Sequence, residues 1–232
     1  MESDQQIQEA KRAIISFTDS YTQNKQGKRS EQPETDPTPS LVEISAYLQY
    51  LTDQIEYHNA LNSVIQIPKL LQSLSALVTF RLGTHIDLDV DNQRLKVRHW
   101  SRECIRYIQH FGDEQIQTEL INKRYGRVTS ISFCTAGGQS EEQDAEIRNG
   151  LDYISSFLRA LHYGRNDFYW LPSFQPLPLL ARNTEEQMEE EGANEEIDAQ
   201  MNKKGYDDNN IKSNANYVKE ATLNHFIRRG WI

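Results

Sequence analysis

The apolar residues of this chain recur at helical spacing over most of its length. Ile7, Ala10, Ile14, Phe17 and Tyr21 follow one another every three or four positions, with a Ser3/Gln6 capping-box pair in front. The stripe is narrow, which suits packing on a single partner helix. Gly27 ends it, and residues 27–40 are polar with Pro33, Pro37 and Pro39, a composition that predicts a flexible linker. Residues 1–26 therefore read as an amphipathic helical arm that can detach from the body.

A second capping box, Ser40 with Glu43, opens a helix whose buried stripe is Leu41, Ile44, Leu48, Leu51 and Ile55. Pro68 suits the first turn of the next helix, which places Leu70, Leu71, Leu74, Leu77, Val78 and Leu82 on the core and stops at Gly83. The short connection predicts that these two helices lie antiparallel as a hairpin.

The period then changes. Ile86, Leu88 and Val90 alternate with Asp87, Asp89 and Asp91, and Leu95 and Val97 alternate with Arg94, Lys96 and Arg98. Period two on both sides of Asn92-Gln93 predicts a β-hairpin over 86–98, with acids matched to bases across it. The rival is a helix that starts near Gln93 and continues to Phe111. From about Ser101 the helical period returns with Cys104, Ile105, Ile108 and Phe111. Gly112-Asp113 breaks this helix and caps another containing Ile116, Leu120 and Ile121. Val128 to Cys134, rich in β-branched residues and serine, predicts a short strand over 128–134. Ser140 caps a helix with Ile147, Leu151, Ile154, Leu158 and Leu161, ended by Gly164.

The last third differs. Residues 165–182 form a Pro/aromatic segment containing Phe168, Tyr169, Trp170, Pro172, Phe174, Pro176 and Pro178. Three prolines forbid one continuous helix, and the aromatic and leucine side chains are costly to leave together in water. Such a segment docks, on its own body or on a partner. Residues 183–216 are acidic and then Asn-rich, and predict a flexible stretch. Residues 217–232 predict a final helix carrying Phe226 and ending in Gly230-Trp231-Ile232. The expected class is mainly α, a helical core domain over 41–164 with a small β element and extended N- and C-terminal appendages.

Composition adds boundaries. An apolar fraction of 37% and a mean hydropathy of −0.74 are low for a chain of 232 residues, so solvated or partner-bound segments are expected beside a core. A net charge of −9 opposes nonspecific binding of the whole chain to nucleic acid or to an anionic membrane. Met1-Glu2-Ser3-Asp4 lacks the apolar run of a signal peptide, and no stretch approaches the roughly 20 apolar residues of a membrane span. Cys104 and Cys134 are too few for a disulfide framework and read as reduced thiols. The expected setting is soluble, intracellular and reducing, cytoplasm or nucleus, and a virus particle fits equally.

The chemical motifs are sparse. Asp87-x-Asp89-x-Asp91 matches the opening of a calcium loop, but Asn92 stands where such loops need Gly and Arg98 where they need Glu. The six histidines form no His-x-x-x-His pair and the cysteines lack zinc spacing, so neither a metal site nor a cofactor is expected. Ala136-Gly137-Gly138 precedes a helix, but Glu141 and Glu142 in its first turn would repel a phosphate. Arg94 to Arg127 holds eight bases against four acids, interleaved with Trp100, Tyr107 and Tyr125. Arg94, Lys96, Arg98, Arg102, Arg106, Lys123, Arg124 and Arg127 thus compose a candidate nucleic-acid surface. The bland readings are a solvated helix face or an internal charge match with the Glu185–Asp198 block.

These features favour a non-enzymatic assembly subunit that meets a protein partner, or another copy of itself, through Ile7, Ile14, Phe17, Tyr21, Phe168, Tyr169, Trp170, Phe174, Phe226 and Trp231. The alternatives are a nucleocapsid-type protein using the basic region and an enzyme whose site is assembled from distant residues.

Overall fold

A computed structural model describes residues 2–25, 39–58, 60–65, 68–81, 86–134, 144–166, 171–202 and 208–228. The described chain is predominantly helical, and it forms two compact units, Met1–His110 and Phe111–Ile232.

The first unit contains α1 (Glu2–Lys25), α2 (Leu41–His58), α3 (Leu61–Ile65), α4 (Pro68–Val78) and α5 (Leu88–Phe111). The predicted capping box forms: Ser40 N donates to Glu43 Oε2 at 2.7 Å, and Glu43 N donates to Ser40 Oγ at 3.2 Å. The donation from Ser40 N, and a second from Ser40 Oγ to the same Oε2 at 2.8 Å, hold the Glu43 carboxyl below its usual range. Ile44, Leu48, Leu51 and Ile55 of α2 are buried, as are Leu70, Leu74 and Leu77 of α4. The principal packing of these two helices is not the predicted hairpin. α1 lies against both of them.

That placement corrects the reading of residues 1–26 as a free arm. Ile7, Ala10 and Ile14 are fully buried, and the Phe17 and Tyr21 rings meet Phe80 at centroid distances of 5.5 and 4.8 Å. The narrow stripe finds its partner inside its own unit, because the end of α4 supplies an aromatic for it to close upon. The linker predicted at 27–40 falls outside the described residues except for Pro39 and Ser40.

The hairpin predicted at 86–98 is also corrected. Leu88–Phe111 is one helix of 24 residues. Asp87 is its cap, its Oδ1 accepting from Val90 N at 2.9 Å, while Asp89 and Asp91 complement the positive end of the helix. The acids that looked like a strand face instead start a helix. Arg94, Arg98 and Arg102 then fall four residues apart, on one face.

The second unit contains α6 (Glu114–Asn122), α7 (Tyr125–Ile131), α8 (Asp144–Tyr163), α9 (Pro178–Glu189), α10 (Ala193–Asn202) and α11 (Asp208–Arg228). Asp113 caps α6 as expected, with Ile116 N donating to its Oδ1 at 3.0 Å. The predicted strand at 128–134 is largely helix α7, where Ser130 Oγ returns its proton to the Gly126 carbonyl at 2.8 Å. Such back-bonding reconciles serine with a helix. α8 is the central element. Its stripe Ile147, Leu151, Ile154, Leu158 and Leu161 is buried, and α7, α9 and α11 pack against it.

The segment expected to be flexible at 183–216 is mostly helical, because small and apolar residues recur within its acidic sequence. Ala181, Thr184 and Met188 of α9 are buried, as are Ala193 and Ile197 of α10 and Ile211 and Ala215 of α11. α11 also starts earlier than the final helix predicted at 217–232. α10 packs on α11, and α11 on α8. The C-terminal third is thus part of the second unit's core, not an appendage.

Candidate functional site

The Pro-containing strip after α8 is held by a compact set of contacts. Gly164 ends α8 with a φ of 72°, the left-handed conformation that turns the chain. A side chain there would meet the Phe174 carbonyl oxygen at 2.7 Å and the Pro176 nitrogen at 2.9 Å. Arg165 and Phe174 exchange backbone hydrogen bonds at 2.8 and 3.0 Å, and Leu177 N donates to the Leu161 carbonyl at 2.7 Å. The Arg165 guanidinium sits 4.7 Å above the Phe174 ring, donates to the Pro172 carbonyl at 2.7 Å, and also reaches the Gly112 carbonyl. Burial lowers its pKa below the ordinary guanidinium value, opposed by the charge of Asp113.

This clamp sorts the strip by face. Phe174 is buried, whereas Pro172, Pro176 and Pro178 are exposed and Leu179 is 77% exposed. Tyr163, adjacent to the Gly164 turn, is 47% exposed. These apolar side chains are therefore solvent-exposed beside a backbone held at Gly164 and Arg165. Of the predicted contact residues, Ile7, Ile14, Phe17 and Phe174 are buried, and Tyr21 is half-buried with the Arg81 guanidinium 5.3 Å over its ring. Phe226 lies within α11. Phe168, Tyr169, Trp170 and Trp231 lie outside the described residues.

The basic residues divide between the two units. In the first unit Arg94 pairs with Asp91 at 3.3 Å, Arg98 donates to the Phe80 carbonyl at 3.2 Å, and Arg102 donates to the Val78 carbonyl at 3.3 Å; all three are buried. Arg106 bonds Glu103 at 3.2 Å and lies 3.9 Å over the Tyr107 ring. Lys96 is exposed. In the second unit Lys123 is exposed, Arg124 pairs with Glu190, and Arg127 pairs with Glu191 at 2.6 Å. The acidic block thus meets two of the candidate bases.

Burial pushes the Cys104 thiol up to about 12, against a hydrogen bond from Thr52. Burial, with Glu196, Glu191 and Glu195 nearby, pushes Cys134 to about 12. Neither is a ready thiolate nucleophile. Among the described residues no three His, Cys, Asp or Glu side chains gather as a metal group, and no helix is long and apolar enough to cross a membrane.

Sequence reasoning missed two internal features. Lys11 is fully buried, donates to the Ser63 carbonyl, and has its pKa lowered by that burial. His162 Nε2 lies 2.9 Å from Glu185 Oε1, with both side chains largely covered. His162 follows the apolar position Leu161, which marks it as inward-facing, but a partner 23 residues away leaves no local pattern. The chain matches no family model and no curated protein.

Proposed function

We propose that this chain is a non-enzymatic assembly subunit whose protein contact is made by the strip at 171–179 together with Tyr163. The observation that carries the reading is the exposure of Tyr163, Pro172, Pro176 and Leu179 beside a backbone fixed at Gly164 and Arg165. A rigid, desolvatable patch loses little entropy on association. Exposed apolar residues that cluster are characteristic of contact surfaces, whereas isolated ones need no explanation. The occupant is another copy of the chain or a different protein subunit. The terminal helices contribute by completing the two cores, and the unit supplying the contact is the second.

Nucleic-acid binding through 94–127 is the weaker reading, since Arg98 and Arg102 are turned to the carbonyls of Phe80 and Val78 and Arg124 and Arg127 to glutamates. Sedimentation velocity and native mass measurement test the assembly reading on the full chain, alongside Leu179→Asp with Tyr163→Asp. A complex that dissociates in the variant, with its helical signal retained, is the expected result. A monomer at high concentration with no co-purifying protein overturns it.

A further inference from the structure

We propose that α1 is a releasable cover: it leaves the first unit as one element while α2 and α4 stay folded, and the buried ammonium of Lys11 sets how readily it goes. Among the described residues of α1–α4, Lys11 is the one charged side chain in the buried set, at 0% exposure. It donates to the Ser63 carbonyl in the last turn of α3, and no carboxylate pairs with it among the described residues. An ammonium carries three N–H donors. One backbone acceptor does not replace the water it gives up, so burying it works against the docking of α1. The lowered pKa of Lys11 has the same cause.

The other polar contacts of α1 lie at its rim. The Tyr50 hydroxyl donates to Gln6 Oε1 at 3.2 Å, and Lys69 meets Asp19 at 3.5 Å, both in exposed positions. Contacts of this kind contribute little. The apolar stripe of Ile7, Ala10, Ile14 and Phe17 therefore holds α1 in place against an uncompensated charge in its middle. α2 and α4 bury serine and threonine but no charge. Elements of one unit open at different free energies, and the least favourably balanced opens first. On this balance α1 opens before α2 and α4, and its departure uncovers the two helices it packs against.

The test is native-state amide hydrogen exchange of the full chain, with α2 and α4 as the internal reference. Lys11→Met keeps an apolar stem. Lys11→Gln removes the charge and keeps a donor for the Ser63 carbonyl. Lys69→Met removes an exposed cation of the same seam as a control. In the unsubstituted chain the amides of α1 from Ile7 to Phe17 should exchange faster than those of Leu48 and Leu74. Both Lys11 variants should slow the α1 amides by about tenfold or more without speeding those of α2 and α4. Lys69→Met should not slow them. Exchange of α1, α2 and α4 at one common rate overturns the proposal, because the three then open together. So does α1 exchange that neither Lys11 variant slows, equal slowing in Lys69→Met, or loss of protection across α2 and α4 in both Lys11 variants. These outcomes concern the first unit and leave the assembly reading, which rests on the second, untouched.

Discussion

Arg98 donates from its guanidinium to the backbone carbonyl of Phe80 at 3.2 Å, while buried beneath α5. α4 ends at Val78, so carbonyls at and just beyond its end lack helical partners. Arg102, one turn further along α5, takes the Val78 carbonyl at 3.3 Å. Two cations of one helix thereby satisfy the negative end of another.

Replacing Arg98 with Met keeps an apolar stem and removes the donor. The expected cost is about 1–3 kcal/mol, the range for leaving a buried acceptor unmet. Arg98→Glu should cost more, about 3–5 kcal/mol, because it buries an unmatched charge. Denaturation followed by Trp100 fluorescence in α5 reads both. Loss of nucleic-acid retention in Arg98→Glu would then report unfolding, not a lost contact. An unshifted midpoint in Arg98→Met would show that the hydrogen bond is dispensable.

Gly164 and Gly192 offer a matched comparison. Their φ values are 72° and 70°, so a Cβ imposes similar backbone strain, about 1–2 kcal/mol. Their surroundings differ. At Gly164 the added carbon meets backbone at 2.7 Å, whereas at Gly192 the nearest atom is a Glu195 side-chain oxygen at 3.8 Å. Gly164→Ala should therefore lower the melting temperature clearly more than Gly192→Ala. It should also loosen the strip, seen as faster amide exchange at Phe174 and Leu177. Equal losses at the two sites would mean that the strip yields without resistance.

The sequence made the helical class, the Ser40/Glu43 and Asp113 caps and the α8 stripe legible, because each rests on local spacing. The hairpin at 86–98 failed because period-two charge over few residues is also compatible with a helix. The discriminating signal was longer: Arg94, Arg98, Arg102 and Arg106 recur every four residues, and Asn92-Gln93 lacks the glycine of a tight hairpin turn. In 183–216 the acids obscured a weak stripe of Thr184, Met188, Ala193 and Ile197, whose burial depends on α8 and α11. The His162–Glu185 pair arises from packing between distant segments, which spacing does not encode.

The two thiols give the folded state an alkaline limit. Folding raises Cys104 and Cys134 from 9.0 to about 12, so it favours the protonated thiol. That contribution is complete below about pH 9 and is lost as pH rises toward 12. Tyr107, also pushed to about 12 chiefly by burial, adds to the loss above its ordinary value of 10.0. The denaturation midpoint should fall through this window, with Cys104 contributing on the order of a few kcal/mol by its upper end. Cys104→Ala should flatten the slope even if it lowers stability at neutral pH. A slope unchanged in that variant would remove Cys104 as its cause. At pH 8, aromatic disulfide reagents should label Cys104 only as fast as the unit opens.

The acidic block is tied to the bases before α7 and within it by Arg124–Glu190 and Arg127–Glu191. The same region is knit by Gln187, whose Nε2 donates to the Ile121 carbonyl at 3.0 Å, and by the close approach of Gly126 to Thr184. The ion pairs are partly exposed, so each contributes only about 0.2–1 kcal/mol and is weakened by salt. Replacing both glutamates with arginine sets like charges against each other without disturbing the buried contacts. Melting should then occur at a lower temperature in dilute buffer, and the deficit should shrink in 0.5 M salt, a concentration chosen to cut the screening length to about 4 Å. Arg124→Glu with Arg127→Glu should restore much of the loss when combined with Glu190→Arg and Glu191→Arg, since the pairs re-form with reversed sign. Recovery in the fourfold variant, beyond the sum of the two reversals, is the coupling that identifies true pairs. Additive losses would mean that the charges lie near one another without interacting, and that Gln187 and Gly126 alone hold this region together.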